Sequence, residues 1–288
     1  MTSEPLAFHH HDKLHQRLKN IPTFLSEYSF ANLYLFRQAH DFRLVQDHEH
    51  TWITGKTYDG HSFVMPTQDI RGQDIQPLIT FSKDHDFIFP VPEEWLSAFD
   101  AARVSIAFNE GDSDYIYTTE KMATFKGPKM HGKKNLLNQF LSLYTPEAKP
   151  LTQERMEDAR DVLEVWQVDM AQPKEETDYA SCREAFELYD KLVLCGGIYY
   201  VNDEPAGFII GEEFNQKMFT LHFAKGKRKF KGLYQYMFNH FANMLPRKYE
   251  FLNFEQDLGK LALKIAKSSY HPDRMLNKYR VSYWKENT

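Results

Sequence analysis

"GGIYYVNDEPAGFIIGEEFNQKMFTLHFAKG", residues 196–226, is the stretch whose reading decides the fold. Three runs rich in Ile, Tyr, Phe and Thr are broken at Asn202-Asp203 and again at Asn215, residue types that let a chain reverse tightly. The expected structure is a hairpin with a third antiparallel strand beside it. Downstream come the basic loop "KGKRKFK" (225–231), the helix "GLYQYMFNHFANML" (232–245), the strand "YEFLNF" (249–254), and a helix expected to begin near Leu258. Upstream, "QERMEDARDVLEVWQVDM" (153–170) and "SCREAFELYDKL" (181–192) repeat apolar residues three and four apart, as amphipathic helices do.

Helices, three antiparallel strands, helix, strand, helix is the order of the GNAT (acyl-CoA N-acyltransferase) fold. The first half mixes the same ingredients. "SFANLYLFR" (29–37) is apolar enough to be buried, and "RLVQDHEHTWITGKTYDGHSFVMPT" (43–67) reads as short strands with Thr-Gly and Asp-Gly turns. A helix is expected in "EEWLSAFDAA" (93–102), a strand in "DYIYTT" (114–119), and a helix in "KKNLLNQFLSLY" (133–144). "TPEAKPLTQE" (145–154) carries two prolines and little that packs, which puts the division between an N-terminal GNAT-like domain, 1–147, and a C-terminal one, 148–288. The fold class is α+β, two tandem domains, each a mixed, mostly antiparallel sheet flanked by helices.

Of the 288 residues 42 % are hydrophobic and 15 % aromatic, a composition that fills globular cores and argues against disorder. The net charge of -5 excludes a polyanion binder that is basic overall, so any such surface is local. Nothing approaches about 18 consecutive apolar residues, and "MTSEPLAFHHHDKLHQRL" has no apolar signal-peptide core, so a cytoplasmic location is expected. Cys182 and Cys195 are the only cysteines and fit neither a disulfide framework nor zinc spacing. His11 and His15 at helical spacing, and His48, Glu49 and His50, each fall short of a full ligand set, so no metal is expected.

The segment "NFEQDLGKLALKIAKSSYHP" (253–272) places Asn253, Glu255 and Asp257 at every second position, hence on one face if the strand continues. Leu258, Leu261, Ala262, Ile265 and Ala266 then form a stripe, with Lys260, Lys264 and Lys267 elsewhere on the helix. Two readings fit: converging carboxylates and amines that make a reactive pocket, or Asp257 as the N-cap of a helix with a solvated lysine face. The loop 225–231 has a similar pair of readings, an anion site built on Lys227, Arg228, Lys229 and Gly232, or a solvated loop. Tyr234 stands where a CoA-binding loop has a small residue, which obstructs close approach of a pyrophosphate. A second basic run, "KGPKMHGKK" (126–134), precedes a helix and suits anions equally well.

Taken together, "SFANLYLFR", "DYIY" with "FKGPKMHGKKNLLNQF" (125–140), and "NFEQDLGKLALKIAKSSYHPDRMLNKY" (253–279) resemble the phosphatidylglycerol lysyltransferase C-terminal domain family over about residues 20 to 284. The resemblance implies a tandem GNAT architecture similar to the Fem-type aminoacyl transferases. It also implies transfer of an aminoacyl group from aminoacyl-tRNA to a hydroxyl or amine.

On that basis Asn253, Glu255, Asp257, Gly259, Lys267, Tyr270, Pro272 and Lys278 match the C-terminal motif, and Lys126, Gly127, Lys129, Lys133, Lys134 and Asn135 the middle one. The implied catalytic set is Glu255, Asp257, Lys267 and Tyr270. The carboxylates orient or deprotonate the nucleophile or hold the donor's amino group, while Lys267, Tyr270 or a backbone N–H faces the developing oxyanion. Asn253, Lys278, Tyr117, Lys126, Lys129, Lys133, Lys134 and Asn135 are the implied substrate-binding set. The lipid-modifying relatives join this domain to a multi-span membrane segment, and none is expected in this chain. No resident cofactor is expected; aminoacyl-tRNA or acyl-CoA is the donor, and a small molecule, lipid headgroup or peptide the acceptor. The alternatives are a CoA-dependent N-acyltransferase and a non-catalytic GNAT-fold binding module.

Overall fold

A computed structural model describes residues 1–284. In chain order the elements are β1 (Thr2–Pro5), α1 (His11–Lys19), α2 (Phe30–Phe36), β2 (Arg43–Gln46), β3 (Thr51–Lys56), β4 (Ser62–Pro66), α3 (Gln76–Ser82), β5 (Phe87–Val91), β6 (Val104–Phe108), β7 (Asp114–Thr118), α4 (Thr119–Thr124) and α5 (His131–Leu143). They continue with β8 (Pro146–Pro150), α6 (Met156–Met170), α7 (Tyr179–Glu187), β9 (Cys195–Val201), β10 (Glu204–Glu213), β11 (Met218–Gly226), α8 (Leu233–Met244), β12 (Phe251–Asn253), α9 (Leu261–Ser268), β13 (Arg274–Leu276) and β14 (Tyr279–Tyr283).

The sheets have the orders β1-β2-β3-β4-β5-β14-β6 and β8-β9-β10-β11-β12-β7-β13, the second written from its opposite edge. Strand for strand they are the same design. An antiparallel meander (β2-β3-β4, β9-β10-β11) leads through a helix (α3, α8) to a strand that pairs in parallel with the last of the three (β5 on β4, β12 on β11). That crossover helix is what a parallel connection requires. The next strand in each sheet is exchanged: β14, from the end of the chain, lies on β5, and β7, from the first half, lies on β12. The second repeat of the design starts at β8, and the 147/148 position falls inside that strand.

Two compact units result. One comprises Met1–Asp114, Gln256–Ile265 and Met275 onward; the other comprises Tyr115–Glu255 and Ala266–Arg274. In the first, α1 and α2 bury Leu14, Leu18 and Leu33, and Ile53, Val64, Ile88 and Val281 supply sheet residues to the core. Ser29 caps α2, its hydroxyl accepting from the N–H of Asn32. The expected helix in 93–102 is only a 3₁₀ segment, Glu93–Ala98, with Trp95 its buried member and the buried Phe99 capping it in extended conformation.

The second unit packs α4, α5 and α8 on one sheet face around Tyr117, Phe140, Phe219, Met237 and Leu252. Complete burial of each such side chain contributes about 1.5–3 kcal/mol. Gly232 (φ +90°) permits the approach of α8 to α5, since a Cβ there would lie 2.7 Å from the Leu136 carbonyl oxygen.

Candidate functional site

In the second unit, β11 and β12 run parallel for only three residues, Met218–Thr220 against Phe251–Asn253. β12 then stops while β11 continues to Gly226. Just past this point β11 carries a bulge: Ile210 pairs with Phe223 and the next residue, Gly211, with Leu221, leaving His222 without a counterpart on β10. Bulges re-aim side chains. A Cβ at Gly211 would sit 2.0 Å from the Thr220 carbonyl oxygen, so this irregular crossing needs a glycine.

His222 lies fully buried between two carboxylates, Nδ1 at 2.7 Å from Glu255 Oε1 and Nε2 at 3.1 Å from Glu212 Oε1. Two carboxylates on its two nitrogens require both to donate, so the ring is an imidazolium. Burial works against that charge, but Glu255 and then Glu212 outweigh it and push His222 up to about 10. Glu212 and Glu255 are each 11 % exposed at the side chain. The Thr220 hydroxyl, two residues earlier on β11, is buried with no hydrogen-bond partner among the described residues.

Glu255 reaches this position because the chain leaves the sheet. Asn253 Oδ1 accepts from the N–H of Glu255 at 2.7 Å, and Glu255 adopts φ +57°. The alternation expected through Asp257 therefore ends at Asn253, and Glu255 and Asp257 do not share a strand face. Asp257 is buried, and its Oδ1 accepts from the N–H of Gly259 at 2.8 Å, closing a turn in which Leu258 and Gly259 both have positive φ. α9 starts only at Leu261, so Asp257 caps this turn and not the helix. The expected stripe on α9 is not a core face: Leu261 is 71 % and Ile265 61 % exposed.

Lys267 Nζ donates to the backbone carbonyl oxygen of Glu255 at 3.3 Å. Tyr117, wholly buried, donates its hydroxyl to the Lys267 carbonyl oxygen at 2.7 Å. Tyr270 is also a core residue. Its hydroxyl accepts from Gln235 Nε2 at 2.9 Å, and burial holds the phenol well above its ordinary pKa, in the protonated form.

Lys133 Nζ sits 4.0 Å above the Tyr270 ring and donates to Ser269 Oγ at 2.6 Å; burial draws its pKa down. Lys126, Lys129 and Lys134 stand exposed, and Asn135 Nδ2 lies 3.4 Å from His131 Nδ1.

Three of the five cations at 225–231, Lys225, Lys227 and Lys229, are paired with acids of the same unit. Lys225 Nζ binds Asp178 at 2.6 Å over the Trp166 ring, Lys227 and Lys229 bind the two oxygens of Glu204 at 2.7 and 2.6 Å, and the N–H of Arg228 donates to Asp169 Oδ2 at 3.0 Å. The N–H of Gly226, the last residue of β11, donates to the Tyr234 hydroxyl at 3.0 Å. Tyr234 thus fills from within the position the sequence marked as obstructed.

Lys278 lies in the first unit and is wholly buried. Its ammonium contacts Asp114 Oδ1 at 2.6 Å, Glu27 Oε1 at 2.7 Å, Gln256 Oε1 at 2.6 Å and Ser26 Oγ at 3.2 Å. Burial opposes the Lys278 charge, but Asp114 and Glu27 raise its pKa on balance; burial also lifts Glu27 to about 7. Near the N-terminus, Glu4, His9 and His10 gather around a common point. There the Ala7 N–H donates to His10 Nδ1 at 3.0 Å, which leaves the proton of the neutral ring on Nε2; Nε2 lies 3.2 Å from Glu4 Oε1 but makes no hydrogen bond of good geometry among the described residues.

A family model described as phosphatidylglycerol lysyltransferase, C-terminal, matches residues 18–282. The chain belongs to this family. It is 23 % identical over 178 residues to the uncharacterized protein MYCGA3080 of Mycoplasmoides gallisepticum; the match covers 60 % of the chain and 57 % of that protein, so the chain spans little more than half the length of this relative. Its fold is similar to that of a conserved protein of unknown function from Bacteroides thetaiotaomicron (TM-score 0.82, 24 % identity, 99 % of this chain and 100 % of that one). It is also similar to L-PGS from Bacillus licheniformis (TM-score 0.61, 15 % identity, 99 % and 94 %).

The architecture is α+β, two mixed, mostly antiparallel sheets flanked by helices, as the order of elements implied. Among the described residues no helix is long and apolar enough to cross a membrane.

Sequence reasoning missed Glu212 and His222. The available signal was an ionisable ring inside the otherwise apolar run "MFTLHFA" (218–224), but only the bulge shows which way it points.

Proposed function

We propose that the chain transfers an aminoacyl group from an aminoacyl-tRNA to a hydroxyl or amine acceptor, a small molecule, lipid headgroup or peptide. The acceptor's oxygen or nitrogen attacks the ester carbonyl, its proton passes to a base, and the terminal hydroxyl of the tRNA leaves. The observation that carries this reading is the Glu255 carboxylate, held by the bulge-borne His222 cation where β11 and β12 part. An anion fixed in this way either accepts the acceptor's proton or holds the donor's ammonium. Lys267, 3.3 Å from the carbonyl oxygen of Glu255, brings positive charge to the same turn for the developing oxyanion. The Tyr234 hydroxyl on the Gly226 N–H and the pairing of Lys227 and Lys229 with Glu204 count against acyl-CoA as donor.

The test is transfer of labelled amino acid from aminoacyl-tRNA to hydroxyl and amine acceptors. Glu255→Gln should unfold cooperatively yet lose roughly 10²- to 10⁴-fold in rate, as expected for loss of a proton-transferring group. Transfer at the wild-type rate in this variant would remove Glu255 from the mechanism. Purified protein that carries CoA and acylates amines from acyl-CoA would overturn the choice of donor.

A further inference from the structure

Among the described residues, the outer strands of the two sheets are β1, β6, β8 and β13. A free strand edge offers unpaired N–H and C=O groups to any other chain, and proteins usually guard such edges with charge, proline or short length. Three of the four are guarded. β1 is "TSEP", with Glu4 and Pro5; β8 is "PEAKP", with a proline at each end and Glu147 and Lys149 between; β13 has three residues, led by Arg274.

β6 carries no such device. It reads "VSIAF", with no charge, proline or glycine, and its register on β14 runs unbroken from Val104↔Tyr283 to Phe108↔Tyr279, so no bulge turns it away. Ile106 is 40 % and Phe108 49 % exposed, on the same side of the strand, and Ser105 and Ala107 are exposed on the other.

The direction of the unused backbone groups follows from the pairing. The Arg103 carbonyl accepts from the N–H of Trp284, so Arg103 faces β14. By alternation Ser105 and Ala107 also face β14, and Val104, Ile106 and Phe108 turn their N–H and C=O groups outward.

We propose that β6 pairs antiparallel with β6 of a second copy of this chain about a two-fold axis at Ile106, joining two seven-stranded sheets into one. This register sets Ile106 opposite itself, Val104 opposite Phe108 and Ser105 opposite Ala107. All the outward N–H and C=O groups of Val104, Ile106 and Phe108 are used, and both exposed apolar side chains are covered.

The flanking charges suit a second copy. The strand is entered from Arg103 and left through Asn109 toward Glu110, which opens a 3₁₀ turn, so reversing one copy on the other sets Arg103 of each opposite Asn109 of its neighbour, one position from an acidic residue, at both ends of the pairing. Glu110 also accepts from Lys264 Nζ at 2.7 Å, which leaves the added cation at the rim of an existing pair. An isologous contact of this kind closes on itself and gives a dimer, not a fibre.

Sedimentation velocity of the full chain over a concentration series tests the proposal. A dimer is expected, and Ile106→Lys should return it to monomer mass with an unchanged far-ultraviolet spectrum. A second measurement does not depend on how that variant folds. In a Cys195→Ser background, which removes the exposed native thiol, Ile106→Cys should oxidise to a disulfide-linked dimer, because facing Cα atoms of a hydrogen-bonded antiparallel pair lie about 5.5 Å apart. Ser105→Cys should not, because its own copy lies diagonally across, about 7–8 Å away or more. A chain that stays monomeric throughout the series leaves the edge to some other occupant and overturns the proposal. A dimer indifferent to Ile106→Lys, or equal cross-linking at 105 and 106, does the same.

Discussion

Raising the pH should take stability from the wild-type chain that a His222→Gln variant does not have to lose. The imidazolium of His222 persists in the folded chain to about pH 10, whereas an unfolded histidine gives up its proton near 6.5. Because the folded value is the higher one, its contribution is complete below about pH 6.5, shrinks as pH rises, and is gone above about 10. Within that window each pH unit removes about 1.4 kcal/mol, so going from pH 7 to pH 9 costs the wild type roughly 2–3 kcal/mol through this group. The variant has no proton there to lose. Its penalty is already present at pH 7, because Glu212 and Glu255 face each other without a cation, a defect worth about 3–5 kcal/mol in a buried ion cluster. Urea unfolding followed by fluorescence of the four tryptophans, at pH 7, 8 and 9 on both proteins, measures this directly. The two stabilities should converge as pH rises. Parallel pH curves, or a variant as stable as the wild type at pH 7, would refute the imidazolium assignment.

Replacing Lys278 by Met should cost about 3–5 kcal/mol at pH 7, because Asp114 and Glu27 lose their buried cation; since Lys278 is what holds Glu27 down at about 7, the loss, read by urea unfolding, should grow between pH 7 and pH 8. Tyr234→Ala frees the N–H of Gly226, so calorimetric titration should detect CoA binding in this variant and none in the wild type. For tRNA binding, changing Lys126, Lys129 and Lys134 to Ala should reduce the slope of log K against log salt by about 2, at about 0.7 for each phosphate that is no longer neutralised. The Lys227/Arg228/Lys229 triple should change that slope little and lower the melting temperature, since two of those side chains hold Glu204.

The meander at 196–226 and the helices after and before it were legible because each has a clean period, two or near 3.6, against a single core. Other features are not written locally. Glu255 lies two residues beyond Asn253 and looks like the next position on the same face; only its left-handed backbone, fixed by the Asn253 side chain, turns it toward His222. Asp257 has the signature of a helix cap, yet positive φ at Leu258 and Gly259 delays α9 to Leu261. The basic loop at 225–231 is written as a phosphate site, and its acids, Asp169, Asp178 and Glu204, lie 21 or more residues upstream (225 − 204 = 21). Nor does anything in "DYIYT" or "YRVSY" say which sheet each will enter, because both sequences would suit either.

The exchange of β7 and β14 sets the timetable on which this chain can fold. Tyr279 pairs with Val91 across 188 positions (279 − 91), so the first sheet, begun early, lacks an inner strand until β14 has been made. During synthesis β5 therefore waits with one edge bare while all those positions are added, and β7 waits for β12 in the same way. Such distant pairings slow folding and prolong the exposure of open strand edges. A nascent chain stalled before Phe251 has both of these pairings unmade, and such forms are those on which a chaperone has most to hold.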